Sequence, residues 1–229
     1  MNETDVAAIA DNLANVRKRI AKAAEKSGRS PEDIKLVAVT KTVSVETVRE
    51  AIAAGITDVG ENYIQDALPK WREIGDKVRW HFIGHLQSNK AKQAVKMFSL
   101  IQSVDSLKLA EEIGKRAKEI GLCAEVLIEV NLAKEASKFG VAPEEAAEFA
   151  AIASKVPGVK LVGLMGMAPF LDNPEETRPY FACLKKIWDK LPEEQRIWLS
   201  MGMSNDFEIA IEEGSNMVRI GTAIFGSRG

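Results

Sequence analysis

The sequence predicts a (β/α)8 TIM barrel, an α/β fold, with one extra helix at its N-terminus. Three observations point there. Short apolar runs alternate with amphipathic stretches at the spacing of βα units. Eight such runs occur. Several are apolar on both faces, as strands of a helix-covered parallel sheet must be. A doubly wound open sheet is the alternative, but no Gly-x-Gly-x-x-Gly fingerprint follows the first strand. The chain has 229 residues, 46% of them hydrophobic, with no linker and no low-complexity segment. A single domain over residues 1–229 is therefore expected.

Ile9, Leu13, Val16 and Ile20 share one helical face, and that helix stops near Ser27-Gly28. Ser30-Pro31-Glu32-Asp33 has the chemistry of a short first turn. Residues 36–39 form the first strand. Ser44 caps a helix striped by Val45, Val48 and Ile52 and ended by Gly55. Strands at 57–60 and 80–83 flank a helix at 64–74, and residues 84–89 open the next helix. A strand at 100–104 leads to Asp105 as a cap. Residues 124–130 are a long β-branched run and the clearest strand. A helix starts at Pro143-Glu144-Glu145, a strand follows at 160–164, and 177–191 is mostly helical. After a strand at 197–200, Asn205-Asp206-Phe207-Glu208 resembles a capping box, and Gly214 ends its helix. Residues 217–220 are the last strand and 222–225 a final turn.

The 31 basic and 33 acidic residues leave a net charge of -2 with no sustained basic run, which argues against nucleic acid as a partner. No apolar stretch is long enough for a bilayer. The first twenty residues lack a basic start followed by an apolar core, so no secretory signal and a cytoplasmic location are expected. Cys123 and Cys183 are far apart and are expected as buried thiols. Two cysteines and two histidines offer little for a metal site, and none is expected. His81 and His85 are expected to be packed imidazoles, since spacing places no carboxylate beside either. Tyr63 fits a packing or an acid–base role equally. The four tryptophans are expected in core and helix–barrel packing.

In a barrel the functional face lies at the carboxyl ends of the strands. Lys41 stands there, with only Thr40 between it and the first strand. Burial at such a place disfavours the ammonium form and makes the amine a nucleophile. Asn62 follows the second strand. Ser200 and Ser204 bracket the end of the seventh, and Arg219, Gly221 and Thr222 end the eighth. Small residues, hydroxyls and free N–H groups beside two helix starts suit a phosphate. An imine-forming lysine facing a phosphate site is the minimum equipment for pyridoxal 5′-phosphate. Its aldehyde would condense with Lys41, and its phosphate would sit on Ser200, Ser204, Gly221 and Thr222. Arg219 would face the ring nitrogen. An arginine only donates, so it would keep that nitrogen unprotonated and make the ring a poorer electron sink.

At these residues the sequence resembles the pyridoxal phosphate homeostasis protein family. The resemblance rests on Val39-Thr40-Lys41, Gly60-Glu61-Asn62-Tyr63, the run from His81 to Lys90, the run from Ser200 to Asp206, and the run from Val218 to Gly226. It covers nearly the whole chain. One departure is His85, where some relatives carry proline. The resemblance implies a barrel similar to the alanine racemase N-terminal domain. It also implies pyridoxal phosphate held as an aldimine (Schiff base) on Lys41, and a role in vitamin B6 and amino-acid homeostasis. Two functions compete: a carrier or regulator that buffers the cofactor and delivers it, with apo PLP-dependent enzymes as recipients, and an amino-acid racemase. A racemase needs a proton donor on each face of the substrate. Lys41 supplies one. The second domain that supplies the other in alanine racemases is expected to be missing, because the sequence stops at Gly229. A monomeric carrier without robust turnover is the expectation.

Overall fold

The computed structural model describes residues 3–133 and 139–226, with side chains from residue 8 onward. Its eight parallel strands pair in chain order and close into a barrel. They are β1 (Lys35–Val39), β2 (Asp58–Glu61), β3 (Arg79–Phe82), β4 (Leu100–Val104), β5 (Ala124–Val130), β6 (Val159–Gly166), β7 (Trp198–Ser200) and β8 (Met217–Ile220). The barrel shuts where Lys35 to Ala38 of β1 pair with Met217 to Ile220 of β8. Helix α1 (Glu3–Lys26) precedes β1. After β1 to β7 come α2 (Val45–Ala53), α3 (Ile64–Ile74), α4 (Ala91–Met97), α5 (Leu107–Glu119), α6 (Ala146–Ala153), α7 (Arg178–Trp188) and α8 (Phe207–Glu212). The short α9 (Thr222–Phe225) follows β8. This is the barrel with an extra N-terminal helix that the alternation predicts.

Two caps differ from expectation. The N-cap of α5 is Ser106, whereas Asp105 instead lies 3.5 Å from His85 Nδ1. Asp206 does cap α8 by position, but its carboxylate accepts from Met203 N (2.7 Å) rather than closing a capping box. Ser44 caps α2 as expected, accepting from Thr47 N at 3.2 Å.

Strand parity sorts the side chains into two sets. Ala38, Val59, Phe82, Ile101, Ile128, Leu199 and Val218 pack outward against the helices in the main core. Val37, Leu100, Leu127, Val162, Met165 and Met217 form a small separate cluster inside the barrel. Glycine is required where β6 meets β7, since a Cβ on Gly163 (φ +150°) would lie 1.8 Å from Trp198 O. Gly202 (φ +95°) likewise lets the loop after β7 pass against Ala210 and Phe207.

Helix α1 packs on α8, α9 and α2, across the β8–β1 closure. Asn12 Nδ2 donates to Ile224 O at 3.0 Å, and Arg19 and Lys26 pair with Glu208 and Glu212. Trp80 is buried, while Trp71, Trp188 and Trp198 are half-buried against the core. Cys123 is exposed and Cys183 half-buried, so the expectation of two buried thiols is corrected: Cys123 sits in the turn entering β5, short of the covered part of the strand. Among the described residues no helix is long and apolar enough to cross a membrane.

Candidate functional site

Lys41 follows β1 on the same parity as Val37 and Val39. Its backbone lies in a tight reversal, with Thr42 at φ 63° and Val43 N donating to Thr40 O (3.0 Å). The side chain is exposed, which corrects the expectation of a dry, buried amine. The strand buries Thr40 fully, but the turn after it lifts the next residue onto the rim.

Lys41 lines a cavity of about 300 Å³ together with Val39, Thr42, Ser44, Gly221 and Thr222. The first and last strands thus bring the amine and the Gly221-Thr222 turn to one cleft. Ser204 stands behind that turn, its Oγ accepting from Gly221 N and Ala223 N, both at 3.3 Å. These N–H groups open α9, where the helix dipole favours negative charge.

Ser200 belongs to a different assembly. It is fully buried and points into the barrel, where its hydroxyl accepts from Arg219 Nη1 and donates to Gln102 Oε1, both at 2.6 Å. Arg219 Nη2 also donates to Gly166 O at 3.1 Å. Burial pushes the Arg219 guanidinium down to about 10, against the pull of Asp206 and Glu129.

The chain of bonds continues across the interior, and the arginine sets its direction. A guanidinium can only donate, so the Ser200 proton must go to the Gln102 carbonyl. That turns the Gln102 amide toward His81 Nδ1 (3.0 Å), which accepts. His81 Nε2 then carries the proton and donates to Asp58 Oδ1 at 2.9 Å. Burial holds the imidazole below its ordinary value, with Asp58 opposing, so it stays neutral at pH 7. Asp58 titrates below the usual range: burial works against this, and the bonds from His81 and Thr57 outweigh it. His81 is the packed imidazole expected, but it does have an orienting carboxylate, which arrives from β2 by register rather than by spacing. His85 is partly exposed and stacks on Phe139, with ring centroids 3.6 Å apart.

Asn62 lines a second cavity at the barrel mouth, about 580 Å³, with Tyr63, His85, Lys90, Glu129 and Met167. Glu129 was not singled out from sequence. It is 6% exposed on β5, and its carboxyl is pushed up to about 7 by burial and by Asp105, against Arg219. Gln102, Asp58 and the buried pair Glu61–Lys70 were also missed. A polar residue in the middle of an otherwise apolar strand, as in Leu-Ile-Gln-Ser-Val, was the available signal for Gln102. Among the described residues no cluster of His, Cys, Asp or Glu could hold a metal ion.

The cleft suits an aldehyde-bearing phosphate: the Lys41 amine faces the Gly221-Thr222 turn, with the Thr222 hydroxyl at the start of α9. The fold is that of the alanine racemase class. The family model described as "Alanine racemase, N-terminal domain" matches residues 4–229. An alanine racemase of Clostridium difficile superposes with a TM-score of 0.73 at 18% identity, over 96% of this chain and 57% of that one. Within this class the chain belongs to the pyridoxal phosphate homeostasis protein family. The member from Aquifex aeolicus is 45% identical over 222 residues, 95% of this chain and 97% of its own. PipY of Synechococcus elongatus, whose structure has been solved with PLP bound, is 35% identical with a TM-score of 0.80, over 95% of this chain and all of that one.

Proposed function

We propose that this protein is a pyridoxal 5′-phosphate carrier or regulator in vitamin B6 and amino-acid homeostasis. It holds the cofactor covalently through Lys41 and buffers or delivers it to apo PLP-dependent enzymes, without robust turnover of its own. The unit that binds is the single barrel over residues 1–229, acting as a cytoplasmic monomer. The observation that carries this reading is the shared cleft of Lys41 with Gly221 and Thr222.

When bound, the cofactor supplies an electrophilic aldehyde and a conjugated ring. The chain's own residues do the rest. The Lys41 amine, on the rim, would condense with that aldehyde with loss of water. Ser204, Gly221 and Thr222 would anchor the phosphate. Arg219, fixed by Ser200 and Gly166, would turn its remaining donors toward the ring nitrogen. Ser200 therefore serves the arginine rather than the phosphate, a revision of its expected role. Asn62 borders the site from the second cavity. The open rim suits exchange of cofactor with other proteins, because water-excluded preorganisation is what turnover would need.

Titration with pyridoxal phosphate should give a visible absorption band. Borohydride reduction and peptide mapping should then place the added mass on Lys41. Mass on Lys90, or on Lys138, which lies outside the described residues, would refute the assignment. Incubation with L-alanine and other amino acids, followed by chirality and α-proton exchange, should show no sustained racemisation. Enzyme-like racemisation lost in Lys41→Ala would establish the competing function.

A further inference from the structure

Behind the cleft lies a buried ion pair that the binding roles above leave unused. Lys70 follows Pro69 inside α3 and is 6% exposed, a rare situation for a lysine. Its Nζ donates to Glu61 Oε1 at 2.7 Å and to Thr40 O at 2.6 Å. Glu61, the last residue of β2, is fully buried, and the same Oε1 accepts from Thr40 Oγ1 at 2.7 Å. Thr40 N donates to Gly60 O at 3.0 Å. Every polar atom of Thr40 is therefore held, and Thr40 is the residue that carries Lys41.

We infer that Glu61 and Lys70 are positioning residues for the Lys41 amine, a role that rests on the proposed attachment at Lys41. They fix the root of the lysine arm while its tip stays free on the rim. Simple helix anchoring does not require this arrangement. Helix α3 already buries Ile64, Ala67 and Ile74, and a buried ion pair can often be exchanged for apolar residues at little cost. An apolar pair could hold the helix, but it could not bond to the carbonyl and hydroxyl of Thr40. Both charged groups converge on that residue. Thr42 then reverses the chain at φ 63°, so the arm leaves a rigid corner. Small errors in the placement of a reacting group cost much rate, and a fixed root removes them.

The test separates attachment from anchoring of the phosphate. Pyridoxine 5′-phosphate has no aldehyde and reports the phosphate site alone. In Lys70→Met, and in Glu61→Gln/Lys70→Met, which leaves no unpaired buried charge, the visible band should form roughly ten- to a hundredfold more slowly. The affinity for pyridoxine 5′-phosphate should stay within about threefold, since Ser204, Gly221 and Thr222 lie on the other side of the cleft. Thr40→Val keeps the pair and removes the hydroxyl's bond to Glu61 Oε1 with its longer contact to Gly60 O; it should slow the band about threefold and decides the matter if the other variants do not fold by circular dichroism. An unchanged rate in every folded variant, or a parallel fall in affinity for both ligands, overturns the positioning role. Wild-type protein that gives no band overturns the proposed attachment itself, a result distinct from either of these.

Discussion

Replacing Glu129 by glutamine should make the protein more stable at alkaline pH and almost unchanged at acidic pH. The carboxyl is buried near the barrel mouth, with Asp105 adding repulsion and Arg219 only partly relieving it, so it titrates at about 7 in the fold against an ordinary 4.5. The folded state thus binds the proton more tightly than the unfolded chain. Stability from this group is fully present below about 4.5 and falls as pH rises, until it is lost above about 7. The gap between the two values, at about 1.36 kcal/mol per pH unit, is roughly 3 kcal/mol. Glu129→Gln carries no charge at any pH and escapes that loss. Any fixed cost of burying the amide is the same at both ends of the range. Urea unfolding of the cofactor-free protein at pH 5 and pH 8.5 measures the difference. The advantage of the variant at pH 8.5 over its advantage at pH 5 should be roughly 2–3 kcal/mol. Equal effects at the two pH values, or a larger loss at pH 8.5, would show that Glu129 is not held protonated by its surroundings.

Three further outcomes are expected. Lys41→Ala should lose the visible band and the borohydride-trapped mass, while retaining weak phosphate-dependent binding detectable by calorimetry. Ser204→Ala should weaken cofactor affinity by roughly ten- to a hundredfold in equilibrium titration, the equivalent of one hydrogen bond to a charged group; unchanged affinity would remove Ser204 from the site. Gly163→Ala drives a methyl group into the Trp198 carbonyl and should cost about 3 kcal/mol or more, read as a fall in Tm, because backbone on the neighbouring strand cannot give way.

The barrel was legible because its strands are apolar runs and its helices carry caps and stripes, all of which are local signals. Strands 100–104, 124–130 and 217–220 have the same limits in the structure. The set Lys41, Gly221 and Thr222 was legible for a related reason: barrels place function at strand ends, and these three lie there. What escaped depends on register and parity. Ser200 and Ser204 look alike in sequence, yet Ser200 is the last inward-facing residue of β7 and Ser204 lies in the loop beyond. Lys70 reads as an ordinary surface lysine on a helix until α3 is laid against β2. Asp58 and His81 are 23 positions apart, and only the pairing of β2 with β3 brings them together. Lys41 was expected to be dry because burial was inferred from the strand before it, and one left-handed residue after it was enough to change that.

The closure between β8 and β1 has a consequence for biosynthesis. On the proposed reading the amine comes from the turn after the first strand and the phosphate anchor from the turn after the last, so a growing chain on the ribosome carries half a site until β8 has emerged and found β1. Cofactor arriving early would then meet a lysine without its anchor. Once the seam is shut and α1 lies across it, a bound molecule would touch both sides and act as a rivet, drawing its affinity from the same contacts that keep the ring of strands from opening.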